Sequence, residues 1–120
     1  MAELKHLLIR GVNWLGDAVM TLPAIQRLRE AHPHARFSLL TDEKLEGLWQ
    51  GIPIIDDVLT FKDKESPRAI GRRLRHHDVD TALILPNSPR SALEAWHANI
   101  PCRIGYAAKW RRLLLTKAIP

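Results

Sequence analysis

The sequence predicts an α/β fold built on a mainly parallel sheet of about five strands flanked by helices. Short apolar segments alternate with segments whose apolar residues recur every three or four positions, which is typical of repeated βα units. The 120 residues fit one domain over residues 1–120, and 46% hydrophobic with 26% charged residues is an ordinary globular composition. Strands that alternate with helices favour parallel pairing with right-handed crossovers.

The first βα unit occupies the N-terminal quarter of the chain. Lys5–Arg10 is predicted to be a buried strand, and a helix should begin near Gly16 and end near His32. Pro23 lies inside that helix, where it should bend the helix or mark a second start. The spacing predicts that four apolar residues face the core: Ala18, Leu22, Ile25 and Leu28.

The middle of the chain continues the same alternation. Strands are predicted over Arg36–Thr41 and Val58–Phe61, with a short helix over Glu43–Trp49 between them. A helix over Ser66–His76 follows, because a capping serine directly before a proline is a strong helix start.

The last predicted βα unit begins with the clearest buried strand, Thr81–Leu85. Ser88 and Pro89 repeat the capping signal and open a helix. A fifth strand is predicted over Cys102–Tyr106, and Ala107–Pro120 shows no clean period. Three residues of the last helix are predicted to face inward: Ala92, Leu93 and Trp96.

Charge and composition narrow the classes of function. The net charge is +5, no acidic residue follows Glu94, and Lys62–Arg75 is strongly basic. Such clusters favour phosphate groups on a ligand, a nucleic acid or a membrane surface, although a solvated helix face explains them equally well. The single cysteine suits a reducing compartment, and no apolar run is long enough for a membrane span or a secretory signal. We therefore expect a cytoplasmic location.

The segment Arg10-Gly-Val-Asn-Trp-Leu-Gly-Asp17 is the strongest candidate site. It follows the first predicted strand, and ligands of open α/β sheets bind at such strand-to-helix turns. A phosphate-binding loop would place lysine and serine or threonine after Gly16, where this chain has Asp17 and Ala18. A carboxylate at a helix N-terminus can cap the helix, accept a proton, or do both.

Two further segments should reach the same edge of the sheet if strands one, four and five are neighbours. Pro86–Ser91 carries two hydroxyl groups, an amide and a guanidinium directly after a strand, and Arg103–Tyr106 precedes a basic tail. One carboxylate among many donors and cations indicates a polyhydroxylated ligand that bears phosphate.

Three motifs together resemble one known family. Ile9–Ala24, Leu85–Leu93 and Ile100–Tyr106 are similar, in this order, to the ADP-heptose:lipopolysaccharide heptosyltransferases of glycosyltransferase family 9, and most of all to the heptosyltransferase II type. The resemblance covers essentially the whole chain.

This resemblance implies a Rossmann-like N-terminal half of a two-domain GT-B glycosyltransferase. In the family, that half receives the acceptor, the heptosyl-Kdo-lipid A core of lipopolysaccharide, and the C-terminal half binds ADP-heptose. The donor-binding half is absent from this sequence, so we expect the fragment alone to be inactive. Peripheral contact with the inner face of the inner membrane is also implied.

The resemblance also assigns roles to residues. The family's proposed general base falls on Asp17, which would take the proton of the attacking acceptor hydroxyl in a single inverting displacement. Seven residues are implied as acceptor contacts: Asn13, Trp14, Asn87, Ser88, Arg90, Ser91 and Arg103.

Each of these roles has an alternative that the sequence leaves open. Asp17 could merely cap its helix, Trp14 could pack in the core, and Ser88 is a strong helix-cap candidate. Arg90 and Arg103 could be solvated surface charges.

Two other classes of function compete with this reading. A basic nucleic-acid binder fits the charge but has no groove-reading motif, and a small nucleotide-binding Rossmann domain would need glycines that the first turn lacks. The histidines show no metal-ligand spacing, so we expect neither a metal site nor a cofactor.

Overall fold

The computed structural model describes residues 4–107 and 111–119 and contains one parallel six-stranded sheet. The strands are β1 (His6–Arg10), β2 (Arg36–Asp42), β3 (Asp57–Phe61), β4 (Thr81–Ile84), β5 (Cys102–Tyr106) and β6 (Lys117–Ile119). Their order across the sheet is β3-β2-β1-β4-β5-β6. The helices are α1 (Leu15–Ala31), α2 (Glu46–Gln50), α3 (Pro67–Leu74) and α4 (Pro89–His97).

The predicted α/β class and all five predicted strands are confirmed. The sixth strand, β6, was not predicted because it is three residues long and pairs only at the edge of the sheet, beside β5. It lies in Ala107–Pro120, where the sequence shows no period; residues 108–110 and 120 of that stretch lie outside the described residues.

Helix α1 begins one residue before Gly16 and runs without interruption through Pro23. Ala18 and Ile25 are fully buried, and the other two predicted inward residues, Leu22 and Leu28, are half-buried. The predicted second helix start at Pro23 is therefore wrong, and the predicted inward face of the helix is confirmed.

Both serine–proline helix starts are confirmed. Ser66 Oγ accepts a hydrogen bond from Ala69 N at 3.1 Å, and Ser88 Oγ accepts one from Ser91 N at 3.3 Å. Each serine has extended backbone angles, as N-cap residues do. Sequence alone thus located the beginnings of α3 and α4.

The inward face of α4 differs in part from the prediction. Ala92 is buried and Leu93 is half-buried, but Trp96 is 46% exposed. The buried residues of the helix are small or polar, because α3 and α4 pack closely: Ser91, Ala92, Glu94 and Ala95. A tryptophan side chain is too large for that close contact, so Trp96 lies at the edge of the interface between the two helices.

Apolar side chains fill both faces of the sheet. Along β1 they alternate: Leu7 and Ile9 pack on the side of α1 and α2, whereas Leu8 packs on the side of α3 and α4. The pattern is that of a strand buried on both faces by helices. Because β2 and β4 flank β1 on opposite sides, the chain reverses direction across the sheet there. Open α/β sheets bind ligands at the carboxyl ends of the strands at such a reversal.

Candidate functional site

The loops after β1 and β4 flank this reversal point, and the first of them leads into α1, which carries Asp17. Asp17 lies in the first turn of α1 and is exposed. Within residues 4–107 and 111–119, its carboxylate takes part in no hydrogen bond or ion pair. The N-cap residue of α1 is Trp14, and no side chain caps the helix. Asp17 therefore makes no capping hydrogen bond to the start of α1. Its carboxylate is accessible beside the positive end of the helix dipole.

Exposed apolar side chains precede and follow Asp17 in the chain. Trp14 is 75% exposed, and Leu15, Val19 and Met20 of α1 are also exposed. Core packing of Trp14, the alternative that the sequence left open, does not occur. The indole ring is accessible to a ligand next to Asp17, where it can stack on an apolar sugar face.

Asn13 is exposed on the same loop, and its side chain is held by a residue that sequence reasoning did not select. Arg10, the last residue of β1, donates from Nη1 to Asn13 Oδ1 at 3.0 Å and to Gly11 O at 2.6 Å. The same guanidinium lies 4.4 Å from the ring centre of Phe61. Arg10 thus fixes the course of the loop that leads to Asp17.

Arg10 is itself held by a buried ion pair with Glu94 of α4. Its Nε donates to Glu94 Oε1 at 2.6 Å and its Nη2 donates to Oε2 at 3.3 Å, and the two side chains are 4% and 1% exposed. The pKa of Glu94 is raised, because burial disfavours its charge more than Arg10 and Arg90 favour it. The only sequence signal for this pair was Arg10, a charged residue at the end of a predicted buried strand.

The loop after β4 brings Asn87 and Ser88 to the surface but leaves Ser91 buried. Asn87 and Ser88 are exposed, and Ser88 is the cap of α4, as its alternative predicted. Ser91 is fully buried and donates from Oγ to Ser88 O at 2.8 Å. Ser91 thus supports the loop from within and is not at the surface, because it lies on the face of α4 that packs against the sheet.

Arg111 is a second residue that sequence reasoning did not select. It is fully buried, and its Nη1 donates to Pro86 O at 2.6 Å and to Ser88 O at 2.9 Å. Its Nε donates to Tyr106 O at 2.8 Å, so it joins the loop after β4 to the end of β5. Burial lowers the pKa of Arg111. A basic residue in a segment without periodicity gave no signal that it would be buried.

The two remaining candidates are engaged elsewhere. Arg90 donates from Nη2 to Glu65 O, and its Nε lies 3.9 Å from Glu94 Oε2. Arg103 donates to Ile100 O at 2.7 Å and to Leu114 O at 2.6 Å. Arg103 is therefore not brought to the loops around Asp17, because it lies near the start of β5 and its guanidinium reaches back toward the amino end. Neither guanidinium is merely solvated.

Two depressions lie at the opposite end of the sheet. One, of about 330 Å³, is lined by residues just before β4 and β5, including Asp78 and Asn99. The other, of about 500 Å³, lies between Arg29, Arg36 and Asp56. In the second depression, both arginines are already paired with aspartates. The candidate site therefore lies at the carboxyl edge of the sheet, where the carboxylate of Asp17 is accessible.

The part of the chain that the structure describes, residues 4–107 and 111–119, offers neither a metal site nor a membrane span. There, no group of three or more His, Cys, Asp or Glu side chains could hold a metal ion. No helix in the same ranges has the length and apolar character needed to cross a membrane.

Comparisons with known proteins agree with the fold. No protein-family model matches the chain. It is 29% identical over 118 residues to lipopolysaccharide heptosyltransferase 2 of Salmonella typhimurium, covering 93% of this chain and 34% of that protein. The structure of Escherichia coli ADP-heptose lps heptosyltransferase II matches 96% of this chain and 34% of that chain, with 28% identity and a TM-score of 0.87.

A third comparison concerns the fold alone. A glycosyl transferase of family 9 from Veillonella parvula matches the whole of this chain and 37% of its own, with 24% identity and a TM-score of 0.87. The chain spans about a third of the length of the relatives that it matches. By sequence and by fold, the chain is thus similar to one third of the length of a lipopolysaccharide heptosyltransferase 2.

Proposed function

We propose that this chain is the acceptor-binding half of an inverting glycosyltransferase that moves heptose from ADP-heptose onto the inner core of lipopolysaccharide. The acceptor would be the heptosyl-Kdo-lipid A core. ADP-heptose would bind to a separate, C-terminal donor domain. The fragment by itself would therefore bind acceptor without turnover.

The accessible carboxylate of Asp17 carries this proposal. It lies at the carboxyl edge of the sheet beside the reversal point, where α/β folds bind ligands. Within the described residues the carboxylate has no hydrogen-bond or ion-pair partner, so no structural contact occupies it. The exposed ring of Trp14 and the exposed amides of Asn13 and Asn87 give the surroundings that a sugar needs: an apolar face and hydrogen-bonding groups.

The proposed reaction is one displacement. An acceptor hydroxyl oxygen attacks the anomeric carbon of the donor, and the bond from that carbon to the phosphate oxygen breaks. Its electron pair leaves with ADP, and the configuration at the carbon inverts. Asp17 takes the hydroxyl proton, while Asn13 and Asn87 orient the acceptor. A positioned base of this kind contributes about 100- to 10,000-fold in rate.

The arginines favour this role over nucleic-acid binding. Several lie in internal hydrogen bonds rather than in a free basic surface: Arg10, Arg29, Arg36, Arg73, Arg90, Arg103 and Arg111. The remaining exposed cations, such as Arg68 and Arg72, are available for lipid headgroups or core phosphates. We propose peripheral contact at the cytoplasmic face of the inner membrane on this basis.

A titration of the chain with the deacylated heptosyl-Kdo core tests the binding half of the proposal. We expect backbone amide shifts confined to Asn13–Asp17 and to the exposed part of the loop after β4, with little response to ADP-heptose. Shifts with ADP-heptose and none with the core would show that the two halves are assigned backwards.

Asp17→Asn tests the chemical half. In a product that joins this domain to a donor domain, we expect transfer to fall by about 100- to 10,000-fold, because the amide cannot accept the proton. Core binding and the urea unfolding midpoint should be unchanged. Glu30→Gln, in the last turns of the same helix, is the matched control and should leave transfer unaffected. Near-normal turnover of Asp17→Asn would remove Asp17 from the mechanism.

A further inference from the structure

The buried pair of Arg10 and Glu94 links two parts of the molecule that meet at the candidate site. Arg10 ends β1, and Glu94 lies in α4, which begins directly after the loop that follows β4. Two parallel contacts join the guanidinium to the carboxylate, at 2.6 and 3.3 Å. Such a two-point contact fixes the plane of the guanidinium as well as its position. The remaining nitrogen, Nη1, therefore points in one direction only, into the loop that leads to Asp17.

The direction of Nη1 determines how the amide of Asn13 is oriented. Arginine has only donors, so the Asn13 atom 3.0 Å from Nη1 is the acceptor Oδ1. The amide group is planar, and its nitrogen Nδ2 must point away from Arg10. Asn13 is exposed, and within the described residues Nδ2 has no partner. Two hydrogen-bond donors thus face outward, four residues before Asp17 in the chain.

We propose that Arg10, held in place by Glu94, is a positioning residue that locks Asn13 with Nδ2 toward the ligand. Asn13 then acts as a donor and selects an oxygen acceptor, such as a hydroxyl or phosphate oxygen of the core. The identity of that ligand rests on the proposed function, but the positioning does not. Because the rotamer is fixed before binding, less side-chain entropy is lost when the ligand binds.

Arg10→Lys, with Arg36→Lys as its matched control, tests the positioning. Both changes keep the positive charge and remove the planar guanidinium, but Arg36 pairs with Asp57 at the opposite end of the sheet. The readouts are the side-chain Nδ2 relaxation of Asn13 without ligand and the affinity for the deacylated heptosyl-Kdo core. We expect Arg10→Lys to mobilise the Asn13 amide and to weaken binding about fivefold to tenfold, which is the loss of one hydrogen bond. Arg36→Lys should change neither.

An unchanged Asn13 amide in a folded Arg10→Lys protein would overturn the inference. If the wild-type chain does not bind the core at all, the proposed function fails, while the ligand-free relaxation still decides the positioning.

Asn13→Asp provides a second test that does not depend on the folding of Arg10→Lys. The new carboxylate would lie against the guanidinium of Arg10, which should hold its pKa below the usual aspartate range. It can only accept hydrogen bonds, so core binding should weaken by at least the same factor, although the fold is retained. An introduced carboxylate that titrates normally, or one that binds the core as wild type does, would contradict the inference.

Discussion

At both ends of the parallel sheet, charged side chains bind backbone groups that the sheet leaves unpaired. The amino ends of the strands expose N–H groups, and aspartates bind them: Asp80 Oδ2 accepts from His6 N at 2.7 Å, and Asp56 Oδ2 accepts from Phe37 N at 2.8 Å. The carboxyl ends expose carbonyl groups, and arginines bind those: Arg10 donates to Gly11 O, and Arg111 to Tyr106 O. Each end therefore receives the charge that its unpaired backbone groups require.

The charged side chains at the two ends of the sheet differ in how deeply they are buried. The carboxylates at the amino end are partly exposed, with 46% for the side chain of Asp56 and 30% for that of Asp57. Arg10, Glu94 and Arg111 at the carboxyl end are buried, which costs free energy unless the surrounding bonds are well formed. Charges buried at such a cost are common where a protein must hold a functional loop in one geometry.

Asp17 differs from the other carboxylates at the carboxyl end in having no partner within the described ranges. Glu94 pairs with Arg10, and Asp42 accepts a hydrogen bond from Lys44 N, whereas Asp17 serves no backbone group and no cation. The pattern of the sheet does not need it there, which supports a chemical rather than a structural role.

The largest expected effect comes from breaking the buried pair. Glu94→Ala should reduce the free energy of unfolding by about 3–5 kcal/mol, because it leaves the charge of Arg10 buried and uncompensated. Urea unfolding at neutral pH measures this. The double variant Arg10→Leu with Glu94→Leu should recover much of the loss, since no unpaired charge remains. A loss as small as that of a surface pair would show that the carboxyl end is not held by this pair.

A smaller effect is expected at the second buried arginine. A methyl group at Gly105 would fall on Arg111 Nη2, and it would also lie 3.3 Å from Ile84 O. Gly105→Ala should therefore cost about 1–3 kcal/mol of unfolding free energy, as overpacking does. Gly47→Ala is the matched control, because a methyl group there meets no atom within 4 Å. Equal stability of the two variants would mean that Arg111 is free to move.

The smallest effect at neutral pH is expected at the exposed end, and its sign depends on pH. Arg36 lowers the pKa of Asp57 from 3.8 through a hydrogen bond, so the folded state binds a proton less readily than the unfolded state. The stability from this pair is present above pH 3.8 and is lost as the pH falls toward the lowered pKa. Asp57→Asn should flatten the acid limb of the stability profile measured by thermal unfolding. An unchanged acid limb would contradict this.

The buried carboxylate should contribute with the opposite sign. The pKa of Glu94 is raised from 4.5, so its contribution to stability decreases as the pH rises from that value toward the raised pKa. The same pH profile on Glu94→Gln would lack this decrease. Asp57 and Glu94 each pair with an arginine but differ in burial. Contributions to the pH profile of stability with opposite slopes would therefore identify burial as the cause of the difference.

Local signals in the sequence were enough for five of the strands and for the starts of two helices, and they indicated a candidate site. The serine–proline pairs fixed two helix starts, and the alternation of apolar segments fixed five strands, because capping and hydrophobic periodicity act over a few residues. The motif around Asp17 indicated the site because strand-to-helix turns lie at a known edge of such sheets. The exposure of Trp14 could not be read in the same way, since an apolar residue at a helix start fits either the core or the surface.

What the sequence determined by itself was the βα order, the family resemblance and the position of Asp17 at the start of the first helix. Only the tertiary structure decided that Arg10 would bind Glu94, that Arg111 would be buried under the loop after β4, and that Ser91 and Arg103 would be turned away from the surface around Asp17. The reason is physical. A helix or strand start depends on neighbours along the chain, whereas a buried charge depends on a partner 84 residues away, which no local pattern can identify.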